Sequence, residues 1–228
     1  MNKFSKIVAA TAAALAIGAV AAPAQSAIYV AYDIGGGITG ELSFADGPFA
    51  YALGPTGGWD SISIEGQAET MPQLLHSEVV NLNSGGAASI DLYITRTGLN
   101  ADDLKDYLAG NRFLTGFGYA ALGGGFASSG YTYVDDADGK YGGVLLASDS
   151  FSGTLSQATN FSTDIAGLSG TYSVTHKYSV TATGKGSVSP DIVLSAAVPE
   201  PGTWALMIMG FGGAGAMLRS RRKALVAA

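Results

Sequence analysis

Between Thr171 and Gly184 the chain reads TYSVTHKYSVTATG. Tyr172, Val174, His176, Tyr178, Val180 and Ala182 fall on one side of an extended backbone. Thr171, Ser173, Thr175, Lys177, Ser179, Thr181 and Thr183 fall on the other. Sustained period-two alternation of this kind fits a strand with one apolar face and defeats a helix, whose period of 3.6 would scatter the same residues around its axis. It predicts a long strand of a sheet packed on one side. DIVLSAAV repeats the pattern through Ile192, Leu194, Ala196 and Val198 after a turn at GKGSVSP, so the two segments read as the final hairpin or final strand pair.

Shorter runs precede them: ITGELSFA, DSISIEG, LLHSEVVNL and ASIDLYITR. Clusters of Gly, Pro, Asn and Asp separate these runs, as turns between short strands require. The regular helical segments that a parallel α/β arrangement needs are absent. The fold class expected is mainly β, an antiparallel β-sandwich or jelly roll with one short helix. Asn100 is placed to cap that helix, with Asp103 at N3, Leu99 and Leu104 as a staple, and Gly110 at its end. Beyond it, GFGYAALGGGFASSGYTYVDDADGKYGG is rich in Gly, Tyr and Phe, and two readings stand: a strand pair with glycine bends, or a long surface loop.

The two ends are of a different kind. Lys3 and Lys6 precede an apolar stretch from Ile7 to Ala22, and PAQSA then supplies small residues for a signal peptidase. Residues 1–27 are therefore expected to be a signal peptide handled by the Sec machinery. Cleavage after Ala27 starts the product at IYVAYD, and cleavage after Ala24 satisfies the A-x-A pattern. At the other end no charge occurs from Pro201 to Leu218, and Arg219, Arg221, Arg222 and Lys223 follow at once. An apolar run closed by basic residues is expected to stop in a membrane with those charges on the cytoplasmic side. Its fully apolar part, Trp204 to Leu218, is short for a span, which suits a transient membrane helix.

VPEPGTWALMIMGFGGAGAMLRSRRK, Val198 to Lys223, resembles the C-terminal sorting signal of PEP-CTERM proteins in its Trp-Ala variant. Pro199, Glu200 and Pro201 match the triad, and Trp204 and Ala205 match the Trp-Ala pair. The glycine-rich run and the cluster of Arg219, Arg221, Arg222 and Lys223 match the remainder. The resemblance implies export, a stage in the inner membrane of a Gram-negative bacterium, and processing by an exosortase-type enzyme. It further implies a final place at the cell surface or in the extracellular matrix, often alongside exopolysaccharide and biofilm. It covers residues 198–223 and leaves the function of residues 28–197 open.

Residues 28–198 hold 17 acidic side chains against 6 basic, so the body carries −11 while the whole chain carries −6. Such a surface repels phosphate backbones and excludes nucleic acid as a partner. With no cysteine, neither disulfides nor thiol chemistry is available. The chemical motifs are few. No G-x-S-x-G elbow occurs, and Gly35 to Gly37 lack the lysine and hydroxyl of a phosphate loop, so DIGGGITG reads as a turn between strands. His176 sits on the apolar face of its strand, as a core or edge histidine does. His76 and Glu78 share a side of theirs, either as a base with its orienting group or as a surface ion pair.

Asp135, Asp136 and Asp138 before Gly139 resemble the start of a calcium loop. With Gly139 at the sixth position, however, Val134 occupies the first and Leu145 stands where the bidentate glutamate belongs. A looser calcium site shared with another loop and an acidic turn both remain open. No cofactor is implied otherwise. The expected class is an exported structural or binding protein, with exopolysaccharide bound through surface aromatics as the expected ligand. The alternatives are a secreted hydrolase of polysaccharide or protein and a calcium-dependent adhesin.

Overall fold

The computed structural model describes residues 26–68, 71–104, 112–123, 125–153, 156–165, 167–197 and 208–212. Among these residues, twelve antiparallel strands form two six-stranded sheets. They are β1 (Ala27–Asp33), β2 (Thr39–Ala45), β3 (Pro48–Leu53), β4 (Trp59–Gln67), β5 (Gln73–Ser84) and β6 (Ala88–Asn100), followed by β7 (Arg112–Leu122), β8 (Phe126–Asp135), β9 (Val144–Ser152), β10 (Gln157–Asp164), β11 (Thr171–Ala182) and β12 (Gly186–Ala196). The first sheet runs β2-β1-β6-β11-β8-β9 and the second β10-β7-β12-β5-β4-β3.

The pairings nest. β8 pairs with β9, β7 with β10, β6 with β11 and β5 with β12. One long hairpin folded over on itself, its pairs alternating between sheets, is a jelly roll. β1 and β2 extend the first sheet beyond β6, and β4 and β3 extend the second beyond β5.

β11 confirms the alternation, since Tyr172, Val174, His176 and Tyr178 are fully buried between the sheets and Val180 and Ala182 nearly so. Each large apolar side chain so buried contributes about 1.5–3 kcal/mol. The expected hairpin of β11 with β12 is replaced by a crossing, because the two lie in opposite sheets. The turn between them is pinned from both sides. Thr183 N–H donates to the Gly125 carbonyl (2.8 Å), and Ser84 Oγ donates to the Gly184 carbonyl (2.6 Å). The polar side of β11 also departs from expectation, for Ser173 and Thr175 are fully buried beneath the β8–β9 connection.

The Gly- and Tyr-rich stretch resolves into β7, β8 and that connection. Phe117, Tyr119 and Phe126 enter the core, while Tyr131, Tyr133 and Tyr141 do not. Gly130 is required by this packing: a Cβ there would lie 2.6 Å from the Phe117 ring, which crosses from the other sheet. The short helix α1 (Ala101–Leu104) follows β6, and Asn100 Oδ1 accepts from the Asp102 N–H at 3.0 Å, as a cap does. Leu99 and Leu104 are both buried. The remainder of the expected helix, to Gly110, lies outside the described residues.

So do the expected signal segment up to Gln25 and most of the sorting tail, including Pro199, Glu200, Pro201, Trp204, Ala205, Arg219, Arg221, Arg222 and Lys223. Residues 208–212 are helical, with Ile208, Met209 and Phe211 exposed. No helix among the described residues is long and apolar enough to cross a membrane.

One polar group sits deep between the sheets. His176 Nδ1 lies 2.7 Å from Ser77 Oγ, which lies 2.8 Å from Tyr178 Oη, and Tyr178 donates to the Ser77 carbonyl at 2.6 Å. One arrangement satisfies all three contacts: Nδ1–H donates to Ser77, and Ser77 donates to Tyr178. His176 Nε2 and the opposed Thr132 Oγ1 have no hydrogen-bond partner. Burial, with His76 adding a smaller electrostatic effect, pushes the His176 pKa down to about 3 from 6.5. The unfolded chain therefore takes up a proton below pH 6.5 that the native chain refuses. This contribution is complete above pH 6.5 and is lost by about 1.4 kcal/mol per pH unit as pH falls toward 3. Urea unfolding between pH 6 and 4 should show a steeper loss of stability in the wild type than in His176→Asn, by about that amount per unit. Equal slopes would mean that the imidazole titrates as freely in the fold as outside it.

Candidate binding face

The outward face of the first sheet is organised in rows by strand register. One row runs Ser43, Tyr29, Thr95, Thr175, Tyr133 and Leu145, and the next runs Ala31, Tyr93, Lys177, Tyr131 and Ser148. A third holds Asp33, Asp91, Ser179, Ser129 and Ser150. Tyrosines thus lie beside a line of hydroxyls and carboxylates.

Lysines tie the rings together. Lys177 Nζ is 5.2 Å from the Tyr93 ring centroid and 5.7 Å from that of Tyr131, and 2.8 Å from Asp91. Burial opposes its charge, but the hydrogen bond and field of Asp91 outweigh this and leave its pKa raised. Tyr131 and Tyr133 present near-parallel rings with centroids 6.2 Å apart. Burial pushes the Tyr133 phenol up, so it stays a neutral donor.

The β8–β9 connection, residues 136–143, walls one side of this face. Lys140 Nζ stands 4.2 Å from the Tyr29 centroid and 2.7 Å from Glu41 of β2. The Tyr141 hydroxyl donates to the same carboxylate, and its ring meets Tyr93 edge-on at 5.7 Å. Hydrogen bonds from Lys140 and Tyr141 lower the Glu41 pKa, while burial first and Glu41 second raise that of Tyr141. Tyr141 has φ +66° and Asp138 φ +56°. Left-handed backbone is unfavourable for a tyrosine and persists only where surrounding contacts over-determine it. Those contacts are present: Tyr141 N–H donates to Thr95 Oγ1 (3.1 Å), which pairs with Thr175 Oγ1 at 2.8 Å, and Asp138 Oδ1 accepts from Gly98 N–H at 2.8 Å.

The acidic triplet belongs to this wall. Asp135 Oδ1 accepts from Ala137 N–H at 2.9 Å, and Asp138 is engaged with β6, so a calcium ion would compete with both bonds. No group of three or more His, Asp or Glu side chains placed to hold a metal occurs among the described residues. The Gly35 to Gly37 segment is the expected turn, its three N–H groups donating to Asp33 Oδ1 at 2.7–3.0 Å. The Gly35 bond leads in lowering the Asp33 pKa.

His76 and Glu78 point outward from the second sheet, in a shallow polar depression with Glu65 and Gln67. Glu65 opposes Glu78, and Glu78 opposes Asp191 of β12, so three carboxylates line up across the strands. Asp191 lies over Gly118, where a Cβ would fall 1.9 Å from its Oδ1. Burial raises the Asp191 pKa; His76 works against this and Glu78 adds to it. Sequence reasoning singled out His76 and Glu78 but missed Glu65 and Asp191, which only register brings alongside. It also missed the sorting of tyrosines between core and surface.

Residues 197–223 match the family described as the PEP-CTERM protein-sorting motif. The chain carries a PEP-CTERM sorting tail. That tail is consistent with an exosortase substrate and implies export and sorting to the surface or exterior. No curated protein matches the chain in sequence. Its fold is similar to solved structures of carbohydrate-binding modules. TmCBM61 in complex with β-1,4-galactotriose is 11% identical, with 64% of this chain and 88% of that one covered and a TM-score of 0.35. The family 11 module from Clostridium thermocellum, in complex with a β-1,3-1,4-mixed-linked tetrasaccharide, is 9% identical over 75% and 98%, at 0.34. TmCBM27, which recognises mannan, is 10% identical over 65% and 89%, at 0.33. Likenesses of this degree carry neither ligand nor binding residues over to the PEP-CTERM-tailed chain.

The wall is open to a direct test. Asp138→Ala removes the acceptor for Gly98 and leaves a plain Cβ at positive φ, so a stability loss of about 1–3 kcal/mol is expected. Amide exchange at Tyr141 should accelerate with it. Unchanged exchange would mean that the contacts of Tyr141 with Thr95 and of Lys140 and Tyr141 with Glu41 hold the wall without Asp138.

Proposed function

We propose that the protein is an exported, matrix-associated glycan-binding protein whose ligand lies on the tyrosine face of the first sheet. The observation that carries this reading is the outward grouping of Tyr29, Tyr131, Tyr133 and Tyr141, packed with the largely buried Tyr93, around two lysine–carboxylate pairs. Sugars present apolar C–H faces and polar edges. A surface that takes them offers aromatic area with polar tips, held at low entropic cost. The tyrosines here are braced by cation–ring contacts and a strained wall, so little ordering remains to be done on binding. Binding of the exported protein to the host's own insoluble exopolysaccharide should fall at least tenfold in Tyr131→Ala/Tyr133→Ala. Glu65→Gln on the opposite sheet should leave it unchanged. Equal loss in both variants, or none in either, would remove the tyrosine face from consideration.

The ends fit this use. A signal peptide would send the chain through the Sec machinery, and Ser26 and Ala27 bear on its boundary. Ser26 Oγ donates to the Thr97 carbonyl at 3.0 Å, and Ala27 pairs with Ala45 and Thr97. Cleavage after Ala24 keeps these contacts and cleavage after Ala27 discards them, which supports the earlier site. The tail would then hold the body at the inner membrane until an exosortase-type enzyme acts, releasing it to the surface or matrix of a Gram-negative cell. Replacing Pro199, Glu200 and Pro201 by alanine should leave a heavier, membrane-bound form on fractionation, while the wild type is shortened and found with surface polymer or in the medium. Identical behaviour would make the tail an anchor only.

A further inference from the structure

We infer that the glycan bound on the tyrosine face is uncharged, and that Asp91 is the residue that sets this preference. The inference rests on the tyrosine face being the glycan site. Lys177 is the only cation among the described residues that reaches the rings of Tyr93 and Tyr131, and Asp91 takes up its charge at 2.8 Å. Lys140 is matched in the same way by Glu41 at 2.7 Å. A third carboxylate, Asp33, opposes Asp91 in the register with no lysine of its own in that row, so this face carries more negative than positive charge. The body behind it is acidic throughout.

A uronate polymer would meet repulsion from Asp33 and Asp91 and a long-range field of its own sign. To reach Lys177 its carboxylate would have to displace Asp91, leaving that group without its partner. A neutral sugar meets no such penalty. The Lys177 ammonium donates and the Asp91 carboxylate accepts, side by side between two rings, and adjacent hydroxyls on one sugar use both functions at once. Ser129 and Ser150, 2.8 Å apart in the row beyond, extend the same hydroxyl-matching edge. Specificity then arises by excluding the wrong charge as much as by fitting the right ligand.

The full-length exported protein should be run in native gels cast with neutral polymers (β-1,3-1,4-glucan, galactan, galactomannan) and with uronates (alginate, polygalacturonate), at low and high salt. The wild type should be retarded by at least one neutral polymer, with little salt dependence, and by neither uronate. Asp91→Asn leaves Lys177 unmatched. It should lose about tenfold in neutral affinity and gain uronate retardation that salt abolishes. Lys177→Gln should weaken neutral binding without that gain, which separates a change of preference from a damaged surface. Retardation of the wild type by uronates, abolished in Tyr131→Ala, would overturn the neutral preference and keep the tyrosine face. Absence of retardation by every polymer, or retardation indifferent to Tyr131→Ala, would overturn the face and this inference together.

Discussion

β11 is hydrogen-bonded along both edges, to β6 over Thr171–Ala182 and to β8 over Ser173–Ala182. Everything else is arranged around what that constraint does to alternate residues. Inward, Tyr172, Val174, Tyr178 and Val180 seal the sandwich. Outward, Thr175 anchors the wall through Thr95, and Lys177 sits among the tyrosines. A slip of one residue would exchange these sets, burying a lysine and exposing two tyrosines and two valines, so register is strongly specified. Core and tyrosine face are two readouts of one strand's alternation.

The same logic explains what was legible beforehand. The apolar face of β11 and the positions of β4, β5, β6 and β12 follow from alternation, which reports one strand at a time. The cap at Asn100 was legible because it is local. Crossing between sheets was not, since the turn after β11 is pinned by Gly125 and Ser84, contacts far away in sequence. β10 escaped notice because an edge strand of polar residues carries no alternating signal. In the Gly-rich stretch, Tyr119 and Tyr131 look alike as letters, yet the first is in the core and the second on the surface. Their fates depend on which sheet β7 and β8 join, and periodicity does not encode that. As sequence, Asp138 reads as part of a calcium loop or an acidic turn and Tyr141 as part of the Gly-rich stretch, and their positive φ values become visible only with the backbone.

The two outer faces pose opposite electrostatic problems. On the second sheet Glu65, Glu78 and Asp191 stand directly across from one another, an arrangement that costs stability between like charges. Burial is what chiefly raises the pKa of Asp191, with Glu78 adding to it against the pull of His76. On the first sheet each lysine is paired with a carboxylate and lies over rings, with Asp33 as a further negative charge beside them. That difference makes the first sheet the better platform for a ligand with apolar faces and hydroxyl edges.

The tail also bears on which face is free. β12 ends at Ala196, Ala197 N–H still donates to the Arg112 carbonyl at 2.9 Å, and Pro199 follows after a single further residue. The tail therefore leaves the body at the end of the second sheet where β12 finishes and β7 begins. The tyrosine face is the broad side of the first sheet, and β12 belongs to the second. The strand that leads into the sorting tail therefore belongs to the other sheet from the tyrosines of the proposed glycan face.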